Sequence, residues 1–364
     1  MRHRFHALCP YFAMFPESFA EKWIGDLTKP GDVVLDPFCG RGTAPFQALL
    51  MQRRSVGIDI SPVAYCITGA KTNPPSLAAT RRRLTTLERT FRSRSWRAQA
   101  RRLPEFFAYA YSELTLAQVL FLRSRLDWRC SNTDRMLAAL VLSVLHGETN
   151  RSSKYLSNQM PHVISTKPAY SVRYWQQRSF TAPMRNAFDL IRDRLTYRYE
   201  SDLPQGDARV FQADMRGLPA LKGQLHRQIR CVVTSPPYMD VTNFEEDQWL
   251  RNWFLGGPPY PTYTRLSLDN RHLNASTYWS LIADLWRSLA AVLAPRADVV
   301  IRIGAKRLSP ESLSRMLHGT SGVASRKVTL VSRETSAIKR RQTETFRPGA
   351  EGCLVEVDCH FRMT

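Results

Sequence analysis

Short apolar runs separated by turn residues predict β-strands near the start of the chain. Val33-Val34-Leu35-Asp36 forms the first run and residues 55–60 form the second, and both end close to an acidic residue. Residues 44–52 between them have the composition of a helix. A strand, a turn, a helix and a strand in this order predict two parallel strands joined by a right-handed crossover.

The same alternation returns in the last part of the chain. It predicts strands at 208–212, 230–234, 297–303, 327–333 and 353–361, and helices at 276–293 and 309–318. The last two strands are joined by a polar segment, which favours an antiparallel hairpin at the edge of the sheet. The whole pattern predicts an α/β fold, in which a doubly wound sheet is interrupted by an insertion.

The insertion is mainly helical and strongly basic. It extends from about residue 76 to residue 205 and includes a dense series of arginines between 81 and 102. We therefore expect three segments: 1–75 and 206–364 as the two halves of the α/β domain, and 76–205 as the helical basic insertion.

The charge balance indicates a polyanionic partner. The chain of 364 residues has 52 Lys and Arg against 31 Asp and Glu, a formal net charge of +21, and Arg predominates. Guanidinium groups match the geometry of phosphates and guanine edges. The alternative is a soluble basic protein whose use of Arg reflects codon bias, and for residues 81–102 it is a solvated helix face.

The cysteines argue against a disulfide framework. There are seven of them, they are scattered, and no Cys-x-x-Cys occurs. This usage is typical of a reducing compartment, and it indicates no zinc site. We see no apolar leader and no apolar span of about 20 residues. We expect a cytoplasmic protein that binds no metal and is not attached to a membrane.

A glycine turn follows the first strand. Gly40 and Gly42 allow a ligand to approach the backbone, because neither has a Cβ atom. Asp59 lies 23 positions after Asp36 (59 − 36), near the spacing at which an acid reaches a ribose hydroxyl. The G-x-G-x-x-G pattern of dinucleotide sites is not present.

A rigid polar turn follows the strand at 230–234. In Ser235-Pro236-Pro237-Tyr238, a hydroxyl and a backbone carbonyl can accept hydrogen bonds from an amino group, and the prolines fix the turn. Tyr238 offers a ring on which an extracted base can stack. A plain proline turn after a strand is the alternative. Methylation of carbon 5 of cytosine needs a nucleophilic cysteine, and the chain has no Pro-Cys pair.

Together the two turns resemble those of a known family. Asp36-Pro37-Phe38-Cys39-Gly40-Arg41-Gly42-Thr43 and Thr234-Ser235-Pro236-Pro237-Tyr238 are similar to the motifs of the S-adenosylmethionine-dependent DNA amino-methyltransferases. The resemblance implies a Rossmann-like methyltransferase sheet, with the cofactor motif in its first half and the catalytic motif in its second. It also implies transfer of a methyl group to an exocyclic nitrogen of a flipped-out base.

The resemblance also implies roles for individual residues. The catalytic residues would be Ser235, Pro236, Pro237 and Tyr238. The cofactor residues would be Tyr11, Phe15, Asp36, Phe38, Cys39, Gly40, Gly42, Thr43, Asp59, Ile60 and Asp214. For the segment around Tyr11 and Phe15, a plain loop and helix start is the alternative.

In this family, Ser at the first position of the catalytic turn favours N4 of cytosine, while Asp or Asn favours N6 of adenine. We therefore expect N4-methylcytosine in double-stranded DNA, with a cognate restriction endonuclease as a possible partner. The alternatives are N6-adenine methylation, methylation of RNA, and an inactive nucleic-acid-binding protein. Arg41 departs from the family, in which a small residue such as Ser is common.

Contacts to the DNA backbone are predicted for the basic insertion, at Arg81, Arg82, Arg83, Arg89, Arg92, Arg94 and Arg97. The loop 149–174 and the segment after the catalytic turn, including Asn243, are candidates for reading the bases. Phe244, Trp249 and Trp253 in that segment suit either base contacts or the core.

Overall fold

Seven strands form one sheet in the part of the chain that the computed structural model describes. This part comprises residues 2–11, 14–147, 154–158, 167–225, 228–239, 244–262, 274–305, 308–337, 353 and 355–364. The strands are β1 (Val33–Asp36), β2 (Arg54–Asp59), β3 (Ala208–Gln212), β4 (Ile229–Thr234), β5 (Leu293–Gly304), β6 (Val328–Ala337) and β7 (Val355–Met363).

The strand order is β3-β2-β1-β4-β5-β7-β6. The first five strands in this order pair in parallel, and β7 runs antiparallel to both β5 and β6. The order reverses beside β1, as in doubly wound sheets, whose ligands bind at the carboxyl ends of the strands near that point. The predicted α/β sheet with an antiparallel hairpin at its edge is confirmed.

Alternate residues of the strands supply two separate cores. Val33 and Leu35 belong to a cluster with α11 (Leu218–Leu221), α13 (Ala275–Val292) and α14 (Pro310–Thr320). Val34 belongs to the cluster on the other face, with α1 (Glu17–Leu27) and α2 (Thr43–Leu50). Because successive side chains of a strand point to opposite faces, this continuous apolar run is buried on both sides.

The described chain divides into two units. The sheet and its flanking helices form the sheet unit, which comprises Tyr11–Thr68, Pro204–Asn243 and Leu266–Thr364. The helical unit comprises Met1–Pro10, Gly69–Leu203 and Phe244–Arg265. One further helix, α3 (Pro62–Thr72), contains the residues at which the first segment of the sheet unit ends.

The helical unit contains a run of short helices and a large aromatic core. Its helices are α4 (Leu77–Thr90), α5 (Ser93–Ala100), α6 (Glu105–Ala110), α7 (Glu113–Arg125), α8 (Asn132–Val144), α9 (Pro168–Gln177), α10 (Ala187–Arg198) and α12 (Phe244–Phe254). Trp249 and Trp253 are buried there against Phe107, with ring centroids 6.1 and 4.5 Å away. These two tryptophans are therefore core residues, while the side chain of Phe244 lies outside the described part.

One strand starts earlier than its apolar run predicts. The sequence places the strand at 297–303, but β5 begins at Leu293, directly after α13. Leu293 pairs with Ile229, and the register then shifts so that Asp298 pairs with Cys231. Pro295 lies within the shifted stretch. Because proline has no N–H group to donate to a neighbouring strand, its presence in a sequence predicts that no strand continues through it.

Candidate active site

The two motif turns start at the same edge of the sheet. Asp36 and Thr234 are the last residues of the neighbouring parallel strands β1 and β4, and Asp59 is the last residue of β2 on the other side of β1. Because parallel strands end at one edge, the glycine turn, the second acid and the proline turn come together as the sequence predicts.

The glycine turn requires glycine at two positions. Gly40 has a φ of +49° and Gly42 a φ of +70°, in the left-handed region that other residues rarely adopt. A Cβ atom on Gly42 would lie 2.5 Å from Cγ2 of Thr68, and one on Gly40 would lie 3.3 Å from Cε1 of Tyr11. Tyr11 therefore packs against the turn, and a contact of this segment with the cofactor stays a prediction.

Thr68 of α3 also holds the glycine turn in place. Its hydroxyl donates a hydrogen bond of 2.9 Å to the carbonyl of Gly40, and the Cys39 thiol lies 3.8 Å from the same hydroxyl. The Cys39 N–H donates to the carbonyl of Ile58 at 3.0 Å, which attaches the turn to β2. Cys39 is buried, so its side chain supports the turn from inside.

Asp59 ties the glycine turn to the end of β2. Its Oδ2 accepts a hydrogen bond of 2.8 Å from the Gly40 N–H, and its Oδ1 accepts one of 2.9 Å from the Ser61 N–H. Burial raises the pKa of Asp59 to about 6, although these hydrogen bonds act in the opposite direction. Asp59 is thus an acid whose charge is balanced by backbone donors.

Asp36 is buried, and only one of its two carboxylate oxygens accepts hydrogen bonds. Its Oδ1 accepts hydrogen bonds from the Thr234 hydroxyl at 2.6 Å and from the Phe38 N–H at 3.1 Å, while its Oδ2 is buried and has no hydrogen-bond partner. Burial raises the pKa of Asp36 to about 7, against the effect of these two donors, and the charge of Asp59 raises it further.

The catalytic turn follows β4 and is held at its last residue. Pro236 is buried, and Ser235, Pro237 and Tyr238 are half-buried. The Tyr238 hydroxyl donates a hydrogen bond of 2.6 Å to Oε1 of Glu356 in β7. Burial raises the pKa of Tyr238 well above its ordinary value, and the charge of Glu356 adds to this effect, so the hydroxyl remains a donor.

The segment before α1 packs on the sheet, and it explains the unusual Arg41. Phe15 is buried with its ring centroid 4.9 Å from that of Phe19. Arg41 is also buried, and its guanidinium forms an ion pair of 3.0 Å with Glu17. The guanidinium is thus directed to the start of α1, which is how a large residue fits at a position for which the resemblance implies a small one.

The remaining predicted cofactor residues lie on the same edge. Thr43 is buried at the start of α2, Phe38 packs on the core shared with α13, and Ile60 follows β2 and is half-buried. Asp214 accepts a hydrogen bond of 2.9 Å from the Arg216 N–H and forms an ion pair of 3.1 Å with the Arg216 guanidinium. Asp214 thus has a structural partner already.

The predicted DNA-binding arginines differ in exposure. Arg81, Arg82, Arg89, Arg92 and Arg94 are exposed on α4 and at the start of α5. Arg83 and Arg97 are half-buried, and Arg83 forms an ion pair of 2.7 Å with Asp134. Asn243 lies outside the described residues, as does much of the loop 149–174.

Three contributors escaped the sequence analysis. Thr234 opens the catalytic motif but has no predicted role of its own, Thr68 carries no motif, and Glu356 lies 118 positions from Tyr238. Each acts through a contact that depends on how strands and helices are arranged.

Among the described residues, no group of three His, Cys, Asp or Glu side chains is placed to hold a metal ion, and no helix is long and apolar enough to cross a membrane.

Comparisons with known proteins match the first part of the chain. Residues 3–68 fit the model of the N6/N4 methyltransferase family described as DNA methylase. The type II methyltransferase M.MjaII of Methanocaldococcus jannaschii is 36% identical over 66 residues, 18% of this chain and 12% of that protein. The orphan methyltransferase M.BamHII of Bacillus amyloliquefaciens is 44% identical over 54 residues, 15% of this chain and 20% of that protein.

Solved structures match this chain at low identity and with low TM-scores. The rRNA methyltransferase AviRa of Streptomyces viridochromogenes superposes with a TM-score of 0.36 and 15% identity, covering 100% of this chain and 90% of that one. TrmN of Thermus thermophilus gives a TM-score of 0.37 and 11% identity, covering 100% of this chain and 52% of that one.

The family and sequence matches confirm the resemblance to the DNA amino-methyltransferases. They support S-adenosylmethionine as the cofactor. The chain matches about an eighth to a fifth of the length of these two relatives. The matched family segment contains the glycine turn, Asp36 and Asp59, and it ends at Thr68.

Proposed function

We propose that this chain transfers a methyl group from S-adenosylmethionine to the exocyclic N4 of a cytosine flipped out of double-stranded DNA. The observation that carries the proposal is the hydrogen bond of 2.6 Å between Thr234 and Asp36. It joins the strand that leads into the glycine turn to the strand that leads into the catalytic turn. A cofactor site and an amino-binding site thus share one edge of the sheet.

The residues at this edge fit the cofactor. Oδ2 of Asp36 is a buried oxygen with no partner, and such an atom favours a ligand that brings a positive charge or a hydrogen-bond donor. Asp59 stands at the end of β2, where an acid is placed to meet a ribose. Bound there, S-adenosylmethionine would supply an activated methyl group.

The catalytic turn would act by accepting hydrogen bonds. An amino nitrogen of cytosine is a weak nucleophile, because its lone pair is delocalised into the ring. The Ser235 hydroxyl and the Pro236 carbonyl can accept the two N–H groups and draw the nitrogen toward a tetrahedral geometry. The Tyr238 ring would stack on the base, so that positioning and electrostatics supply the catalysis without a covalent intermediate.

Serine at position 235 is the basis for choosing cytosine N4. The hydroxyl can accept from the amino group of adenine as well, so N6-methyladenine is the second candidate product. The exposed arginines of α4 and α5 would bind the DNA backbone. A cytoplasmic location and a cognate restriction endonuclease remain proposals that rest on the resemblance.

The test is the nucleoside content of DNA from cells that produce the protein, measured by mass spectrometry after digestion. We expect N4-methylcytosine with the natural sequence and none with Ser235→Ala. The matched control is Ser325→Ala, which removes an exposed hydroxyl in the sheet unit and should leave the product unchanged. N6-methyladenine instead would overturn the choice of base. Methylated nucleosides confined to RNA would overturn the choice of DNA, and no product in either would favour an inactive binding protein.

A further inference from the structure

The hydroxyl of Tyr238 is part of a buried polar cluster that stacking alone does not require. Phenylalanine would offer an equivalent ring, yet the Tyr238 hydroxyl donates a hydrogen bond of 2.6 Å to the Glu356 carboxylate. Hydrogen bonds to ionised acceptors are shorter and stronger than neutral ones. The orientation of the ring is therefore fixed from its far end.

Glu356 is in turn held by a buried arginine. The Arg302 guanidinium lies 3.2 Å from Oε2 of Glu356, and it forms two hydrogen bonds of 2.7 and 2.8 Å with the two carboxylate oxygens of Asp358. Arg302 and Asp358 are both buried, and Glu356 retains little exposure. An acid beside a buried guanidinium keeps its charge compensated, which suits it to receive a hydrogen bond from a phenol.

Two contacts with aromatic rings complete the cluster. The Arg302 guanidinium carbon lies 4.1 Å from the ring centroid of Phe19, in a cation–π contact. A Cβ atom on Gly304 would lie 3.0 Å from Cε2 of Tyr238, so the glycine allows the ring to lie against β5. The Tyr238 ring is thus restrained along its edge by a strand and at its tip by a carboxylate.

We propose that Glu356 and Arg302 are positioning residues for the catalytic turn, which hold the Tyr238 ring in place as a preorganised platform for the target base. This inference rests on the proposed function, because it gives Tyr238 the role of base platform. A side chain whose torsions are already fixed loses less conformational entropy when a base stacks on it. The effect should therefore appear in the methyl-transfer step, and cofactor binding should not change.

Tyr238→Phe is the most informative variant, because it keeps the ring and leaves the pair of Glu356 and Arg302 in place. The experiment measures single-turnover methylation of unmodified plasmid DNA with labelled S-adenosylmethionine, along with cofactor affinity and melting temperature. We expect the rate constant at saturating DNA to fall about 10- to 100-fold, the range for a hydrogen bond to a charged group. Cofactor affinity should stay within about twofold, since the hydroxyl contacts Glu356 and Ser235 and not the glycine turn.

Variants of Glu356 test whether the hydrogen bond is what matters. Glu356→Gln keeps an oxygen that accepts from Tyr238, while Glu356→Ala has none. We expect the rate of the glutamine variant to lie between that of the natural protein and that of the alanine variant, because a neutral acceptor gives a weaker hydrogen bond. The rate of the alanine variant should approach that of Tyr238→Phe. In the double variant of Tyr238→Phe and Glu356→Ala, the rate should be no lower than in Tyr238→Phe alone, because both changes remove the same interaction. Glu311 and Tyr260 are exposed, so Glu311→Gln and Tyr260→Phe are the controls for the two types of substitution and should leave the rate unchanged.

The outcomes separate this inference from the proposed function. If the natural sequence methylates DNA and Tyr238→Phe is equally fast, the positioning role is wrong and the proposed function stands. A glutamine variant as slow as the alanine variant, or rates that multiply in the double variant, would also overturn it. If the natural sequence methylates no DNA, the proposed function fails and the inference fails with it.

Discussion

The side chain of Thr234 donates a hydrogen bond of 2.6 Å to Asp36, and it thereby connects the ends of β4 and β1. Both residues are buried, and the strands pair in parallel with Leu35 opposite Val232. Asp36 directly precedes the glycine turn, and Thr234 directly precedes Ser235. The parallel pairing of the two strands and this hydrogen bond thus hold the two turns side by side.

Removing this hydrogen bond should destabilise the protein, and more strongly at high pH. Thr234→Val leaves Asp36 with a single hydrogen bond, from the Phe38 N–H. The loss of a donor to a buried carboxylate should lower the free energy of unfolding by about 1–3 kcal/mol. The loss should be larger at pH 8 than at pH 5, because an ionised carboxylate needs the donor more. Urea unfolding at both pH values measures it. Thr234→Ser keeps the hydroxyl and is the control; equal free energies of unfolding for the two variants would contradict the prediction.

The stability of the ligand-free protein should decrease as pH rises toward neutrality. The pKa of Asp36 is raised from 3.8 to about 7, so the folded state binds its proton more tightly than the unfolded state. This contribution to stability is present below about pH 4 and is lost as pH rises through about 7. Asp36→Asn should have a flatter profile. Urea midpoints between pH 4 and pH 8 measure the effect, and identical slopes for both proteins would refute it.

Cofactor affinity should have the opposite dependence on pH. A ligand that carries a positive charge favours ionised Asp36, so we expect binding of S-adenosylmethionine to strengthen between pH 6 and pH 8. Asp59, with a pKa raised to about 6, contributes only at the lower end of this range. Isothermal titration calorimetry in buffers of different ionisation enthalpy counts the protons released on binding. Asp36→Asn should release fewer protons, and a natural protein that releases none near pH 7 would rule out this role.

The sequence could predict the features that depend on neighbouring residues. The glycine turn, the proline turn and the strands before them are each encoded within about ten residues, and doubly wound topology then brings the turns to one edge. The pair of Tyr238 and Glu356 depends on the antiparallel placement of β7 beside β5, which no local pattern specifies. Trp249 was open between core and base contact, because aromatic residues suit both. Arg41 departs from the family pattern, and its ion pair with Glu17, 24 positions away, follows from the fold and not from a local pattern.

Replacing Gly42 by alanine should cost more than replacing Gly31, although both glycines have a positive φ. Gly42 and Gly31 have φ values of +70° and +88°, so alanine costs about 1–2 kcal/mol at either position. At Gly31 the new Cβ meets no atom within 4 Å, whereas at Gly42 it meets Thr68 at 2.5 Å. We expect Gly42→Ala to lose clearly more unfolding free energy and to weaken cofactor binding, while Gly31→Ala loses only stability. Similar melting temperatures and cofactor affinities for the two variants would disprove this.

The basic helices should account for much of the salt dependence of DNA binding. Arg82 and Arg89 are seven positions apart on α4, hence on one face, and Arg94 follows in α5; all three are exposed. If each contacts a phosphate, changing the three to alanine should reduce the slope of log affinity against log salt by about 2–3.

The measurement is fluorescence anisotropy with a labelled duplex between 50 and 300 mM salt, and it needs no knowledge of the target sequence. The matched control changes Arg230, Arg296 and Arg315 to alanine, which removes the same charge from exposed positions of the sheet unit. Arg230 and Arg296 lie toward the amino ends of β4 and β5, away from the edge that carries the two turns. A control slope that falls as much as the first would show that net charge governs binding, and the helices would lose their assigned role.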